Sequence, residues 1–212
     1  MNTLFVPLIQ QTDDFDCSIA ALKMVMDYWN DPVPQPKLKQ DLSEWINKEE
    51  RHIQGAAIYL AKRGYEVWFT HHDPGVIDKT TENINESEKE KLSEVLKNSS
   101  EKTSDFRKKK VQLDIEYTES GGHYSTSIPT LDTLDANIKN GIPIIICVNV
   151  RVWSSNPNAN TNHYVVVIGK ENDDYIVNDP SPKVKNSYKV NENKLLMAWY
   201  VTGAYTLAAL LK

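Results

Sequence analysis

The sequence predicts an α+β protein in which an N-terminal helical part packs on a C-terminal antiparallel sheet. Three observations lead there. FDCSIAALKMVMDYW, near the start, carries Ile19, Leu22, Val25, Met26 and Trp29 on one stripe at helical spacing. Toward the other end PIIICVNV, YVVVIG and DYIVNDP are β-branched apolar runs separated by turn residues, the pattern of core strands. Between them lies no internal repeat and no clear linker, so the halves are expected to share one core. A chain of 212 residues is long enough to bury roughly 70% of its unfolded surface in one domain.

The elements follow in order. Cys17 opens the first helix, with Asp16 as its expected N-cap and Asp13 and Asp14 in the approach. DPVPQPK stops it, because its prolines lack donors and force extended geometry. LKQDLSEWI and GAAIYLAKRG read as two short helices, the second ending at Gly64, and YEVWFTH as a strand. Residues 76–120 hold no Gly or Pro and many charges. Leu92, Val95 and Leu96 there suggest an amphipathic helix, so a charged helical insertion is expected at about 76–110, an exposed elaboration or a lid. VQLDIEY alternates as a half-buried strand does, GGH begins a turn, and TLDTLDANIKNG is a helix ending at Gly141. SYKV and AYTLAALL are candidates to extend the sheet.

Composition narrows the function classes. Apolar residues are 40% and charged residues 25%, ordinary for a globular protein. The start has no basic n-region, and no stretch approaches the length of a spanning helix, so a cytoplasmic protein without a membrane partner is expected. A net charge of -5 gives no long-range attraction for nucleic acid; the run RKKK at 107–110 is read as a solvated face. Cys17 and Cys147 are expected to be reduced thiols, with Cys147 packed in the core. The adjacent His71 and His72 are read as a surface turn rather than a metal site, and no metal or other cofactor is expected.

Cys17 at the mouth of a helix is the candidate nucleophile. A helix N-terminus and a nearby imidazolium can lower a thiol pKa from about 8.5 to about 3.5–7.5. The three aspartates beside Cys17 oppose this, so activation must rest on a paired histidine. His163 fits as general base: it follows the polar loop RVWSSNPNANTN and begins HYVVVIG, at a strand end beside a cleft. Asp179 follows sixteen residues later, after a hairpin through ENDD, as the acceptor that orients it. Gln11 offers a side-chain amide to an oxyanion, with the unpaired backbone N–H of Cys17 as the second donor. Gln10 is the alternative to Gln11, and Asn178 a weaker alternative to Asp179 that should face the other way. Trp153 is read as loop packing, with lining of a substrate groove as the alternative, and His123 as a loop residue.

Gln-x5-Cys opening a helix, then His-aromatic-Val-Val and a downstream Asp-Pro, resembles the papain-like cysteine peptidases of the C39 family. The resemblance covers mainly residues 5–30 and 139–180. It implies a single papain-like domain over 1–212 and a cysteine peptidase that cleaves a peptide or amide bond, with a peptide or protein as substrate. Gln11, Cys17, His163 and Asp179 then match the four functional positions. Ser18 departs from the glycine usual after the cysteine, which limits close approach of a substrate backbone. Leader-processing members usually sit on a transporter, which this sequence does not show, so double-glycine cleavage is not implied. VPLIQQTDDFDC and ICVNV…NHYVVVIG are also similar to a related papain-like group called guanylyl cyclase-like. Two other functions are therefore carried: a nucleotide-acting enzyme, and a peptide-binding module that kept the groove without the chemistry.

Overall fold

A computed structural model describes residues 3–46, 52–71, 105–125, 128–159 and 161–212. Most of the expected 76–110 insertion, with Leu92, Val95 and Leu96, lies outside the described residues, as does His72.

The elements run α1 (Cys17–Tyr28), α2 (Gln35–Asp41), α3 (Gln54–Lys62), β1 (Tyr65–Thr70), α4 (Asp105–Glu119), β2 (His123–Ser125) and α5 (Leu131–Lys139). They continue with β3 (Ile144–Asn149), α6 (Val150–Trp153), β4 (Asn162–Glu171), β5 (Asp174–Asn178), β6 (Tyr188–Asn191), α7 (Glu192–Tyr200) and β7 (Thr206–Leu211). The strands form one seven-stranded sheet in the order β2-β1-β7-β3-β4-β5-β6. It is antiparallel except for the β1–β2 pair at one edge.

The pleat sends alternate side chains to opposite faces. Ile145, Val166, Ile168, Leu207 and Ala209 join α1 to α4 in one core, where Ile19, Leu22, Val25 and Met26 lie on the buried side of α1. Ile144, Ile146, Val148, Val165, Val167 and Val177 face the other way and are covered by α5 and α7 through Leu134, Ile138, Leu195 and Trp199. The central strands are buried on both sides, which is why they read as continuous apolar runs rather than alternating ones. The sequence pattern showed the first of these helical layers and, in TLDTLDANIKNG, the α5 half of the second; α7, in ENKLLMAWY, was not anticipated.

Several local expectations change. VQLDIEY is the C-terminal half of helix α4, not a strand: Val111, Asp114 and Tyr117 recur at helical spacing on its buried side, and no Gly or Pro interrupts the run before Gly121. The Tyr117 hydroxyl donates to the carbonyls of Val67 (2.7 Å) and His123 (3.1 Å), tying the helix to both edge strands. The second helix starts at Gln35 rather than Leu38, because Pro36 falls in the first turn, where its missing N–H costs nothing. His71 is no surface turn: its ring is 1% exposed, bonded to Asp114 Oδ2 (3.1 Å) and Tyr124 OH (3.2 Å) and stacked on Tyr205. His123 lies on edge strand β2, stacked on Trp68, rather than in a loop.

The segment before α1 is sewn to the far end of the sequence. Leu4 N–H donates to Ile168 O (2.8 Å), Asn178 Nδ2 to Val6 O (2.9 Å), and Gln11 N–H to Pro180 O (2.8 Å). These three bonds carry Gln11 to the residues that follow β5.

Candidate active site

Cys17 is the first residue of α1 and half-buried. Asp16 occupies the N-cap position, but its carboxylate makes no capping bond; it accepts instead from Thr12 Oγ1 and lies 3.0 Å from Lys39 of α2. Lys39 also pairs with Asp13, whose carboxyl it holds below the usual range. The negative charge expected to oppose a thiolate is thus partly neutralised by a cation 22 positions downstream of Cys17. Nothing in the sequence marked Lys39 for that role.

His163 is the second residue of β4, opposite Val148 of β3 and next to the last pair of that ladder. The ladder ends just beyond it, with Asn149 opposite Asn162 and Val150 N–H bonded to Thr161 O (3.0 Å), so His163 sits near the end of the strand while Val165, Val166 and Val167 anchor it in both cores. The β4–β5 hairpin brings back Asp179, one residue past β5. His163 Nε2 lies 2.7 Å from Asp179 Oδ1, with side-chain exposures of 14% and 6%. With Nε2 engaged there, Nδ1 is the ring nitrogen left for the thiol, and Cys17 lies near enough to favour the charged ring. The imidazole and the carboxylate are thus joined directly, with Cys17 acting on the ring from its other side.

Burial opposes the imidazolium, but the hydrogen bonds to Asp179 and Cys17, with their charges, outweigh it and His163 is pushed up to about 9. Burial likewise acts against the Asp179 carboxylate, yet the His163 bond and charge and the donors Ser181 N–H and Tyr188 OH bring it down to about 2. The pair is thus set up to stay ionised across the neutral range.

Gln11 is tied through its backbone to Pro180, next to Asp179, and makes no bond to Cys17 or His163 among the described residues. One N–H of its amide donates to Asp13 O (2.7 Å), and its carbonyl oxygen is buried with no partner. Turning the amide over would set two carbonyl oxygens against each other at Asp13, so the nitrogen stays on that side and a second N–H remains. Gln10, the alternative, spends its amide on Val184 O (2.7 Å). Asn178 faces away, toward Val6 and Ser187.

Sequence reasoning missed the far side of the carboxylate. Trp153, from α6 inside the supposed polar loop, and Tyr188 of β6 both reach Asp179 Oδ2, at 3.2 and 2.8 Å. An indole ten residues before the histidine and a tyrosine nine after the aspartate carry no local signature of that meeting. Cys147 is a core residue of β3, where burial pushes its thiol up to about 12.

Among the described residues no helix is long and apolar enough to cross a membrane, and no group of three or more His, Cys, Asp or Glu side chains is placed to hold a metal ion. No curated protein matches the sequence. The fold is similar to that of a double-glycine motif protease from an AMS/PCAT transporter, solved in complex with the leader peptide (TM-score 0.52, 17% identity, 98% of this chain and 93% of that one). It is also similar to a putative C39-like peptidase from Bacillus anthracis (0.52, 19%, 100% and 98%) and to the peptidase domain of Streptococcus ComA, a bifunctional ABC transporter of a quorum-sensing pathway (0.50, 18%, 96% and 95%). The model of the Peptidase_C39 like family matches residues 3–207. A match of that extent, on a papain-like fold shared from end to end, means that this chain belongs to the C39-like peptidase family.

Proposed function

We propose that the chain is a cysteine peptidase acting on a peptide or protein substrate through Cys17, His163 and Asp179, with Gln11 assisting. The observation that carries this reading is the 2.7 Å bond from His163 Nε2 to Asp179, which leaves the other ring nitrogen to the thiol. In the reactive form the Cys17 proton already resides on His163, whose imidazolium Asp179 supports, and the sulfur attacks the scissile carbonyl carbon. The carbonyl electrons move onto oxygen, where the second N–H of Gln11 and the first-turn N–H of Cys17 receive the charge. The intermediate collapses by breaking the C–N bond, and His163 gives its proton to the leaving amine. Water, deprotonated by the same ring, then cleaves the thioester to release the acid and restore the thiol. Asp179 holds the imidazole in the tautomer whose Nδ1 faces sulfur and supports its charged form. A peptide substrate fits the family and a structural neighbour solved with a leader peptide.

The test is cleavage of a fluorogenic peptide library by wild type and Cys17→Ala, with mass spectrometry after a peptidyl vinyl sulfone. Wild-type turnover, absent in Cys17→Ala, with one adduct on Cys17, is expected. Turnover that survives Cys17→Ala ends the proposal. A folded wild type that binds library peptides without cutting any is instead a peptide-binding module.

A further inference from the structure

We propose that Trp153 and Tyr188 are positioning residues that pin one oxygen of Asp179, so that only the other is offered to His163. This rests on the reading of Cys17, His163 and Asp179 given above. A carboxylate has two equivalent oxygens and a broad torsion about its last bond, so proximity to a histidine does not by itself fix its orientation. Here the two oxygens are dressed differently. Oδ1 receives His163 Nε2 at 2.7 Å and Ser181 N–H at 2.9 Å, whereas Oδ2 receives Tyr188 OH at 2.8 Å and Trp153 Nε1–H at 3.2 Å. The carboxylate is 6% exposed, and four donors match the roughly four acceptor sites of its two oxygens.

The donors also order one another. Trp153 Nε1 lies 2.9 Å from the Tyr188 oxygen, and an indole N–H can only donate. The tyrosine therefore accepts from the indole and turns its own proton toward Asp179. Burial, followed by the Asp179 charge, keeps that phenol protonated well above its ordinary range, so it remains a donor wherever the protein is folded. Trp153 donates to Tyr188 and Tyr188 to Asp179, while His163 donates to the same carboxylate at its other oxygen, so the donors converge on Asp179 and polarise one another through it. The three supports come from α6, β6 and the turn after β5, so the carboxylate is held from three independent elements. The groups facing it are His163 from β4 and Tyr188 from β6, with Cys17 of α1 beyond the imidazole.

The proposal predicts an order of effects. Tyr188→Phe removes the direct donor and keeps the ring; Trp153→Phe leaves the hydroxyl in place but free to rotate. The readout is the exchange rate with water of the His163 Nε2 proton, followed by NMR at neutral pH and assigned by its loss in His163→Gln. Losing a hydrogen bond to a charged group speeds exchange by about tenfold in Tyr188→Phe and by less in Trp153→Phe. Peptide cleavage loses kcat in the same order with KM unchanged. Thermal unfolding verifies that each variant folds, and the less invasive Tyr188→Phe decides alone if Trp153→Phe does not. Exchange unchanged within twofold in folded Tyr188→Phe, or a larger effect in Trp153→Phe, overturns the clamp and leaves packing as the role of the two rings. If no variant nor wild type cleaves any peptide, the exchange rates still test the clamp; if wild type cleaves and exchange does not respond, the clamp alone fails.

Discussion

Replacing Asp179 by asparagine keeps the size of the side chain and removes its charge, and the consequence for His163 follows from the geometry. The ring is pushed up from 6.5 to about 9 although burial works the other way. Raising it that far corresponds to about 3 kcal/mol of net preference for the imidazolium. The hydrogen bond to Asp179 is the larger support and that to Cys17 the smaller. An amide oxygen at the same position still accepts from Nε2 but carries no charge, so His163 in Asp179→Asn should titrate at least one unit lower than in wild type. In Asp179→Asn/Cys17→Ala only burial remains, and the ring should titrate below 6.5. The assay is a pH titration of imidazole nitrogen shifts in labelled protein; with five histidines, His163 is assigned by its disappearance in His163→Gln. A His163 that still titrates near 9 in the double variant would refute the electrostatic account of the site.

Stability should depend on pH at both flanks. The raised His163 contributes stability that is fully present below 6.5 and lost as pH rises through about 9; the lowered Asp179 contributes stability present above 3.8 and lost as pH falls through about 2. Urea unfolding between pH 6 and 10 should therefore show wild type weakening by up to about 1.4 kcal/mol per unit where His163→Gln does not. Iodoacetamide at pH 8 should label one thiol, Cys17, and reach Cys147 only after unfolding, because Cys147 is buried and its thiol is pushed up to about 12; tryptic mapping reads the sites. Gln11→Ala should lower kcat by on the order of 10² to 10³ with little change in KM, measured on any peptide the wild type cleaves. Gly122→Ala places a Cβ 2.0 Å from the ring of Tyr117, a flat neighbour fixed by two hydrogen bonds, so it should cost about 1–3 kcal/mol in denaturant unfolding.

Much of this was legible in the residues because local chemistry dictates it. The helix at Cys17 follows from its apolar stripe, and the adjacency of His163 and Asp179 from two β-branched runs joined by a short hairpin. VQLDIEY misled because valine, leucine, isoleucine and tyrosine at every second position also serve a helix whose buried side includes Asp114. That aspartate is tolerable in the core only because His71, 43 positions upstream, meets it. The same limit hid Lys39, Trp153 and Tyr188: each acts on the site through a partner remote in sequence, and nothing local records such a meeting.

The hairpin that brings Asp179 to His163 lies far from the helix that presents the thiol: 163 minus 17 is 146 positions. At synthesis rates of about 5–20 residues per second, some 7 to 30 s pass between making the sulfur and making the ring beside it. During that interval the nascent thiol has neither imidazole nor carboxylate. The thiol therefore gains its histidine only after the chain has been made through β3 and into β4.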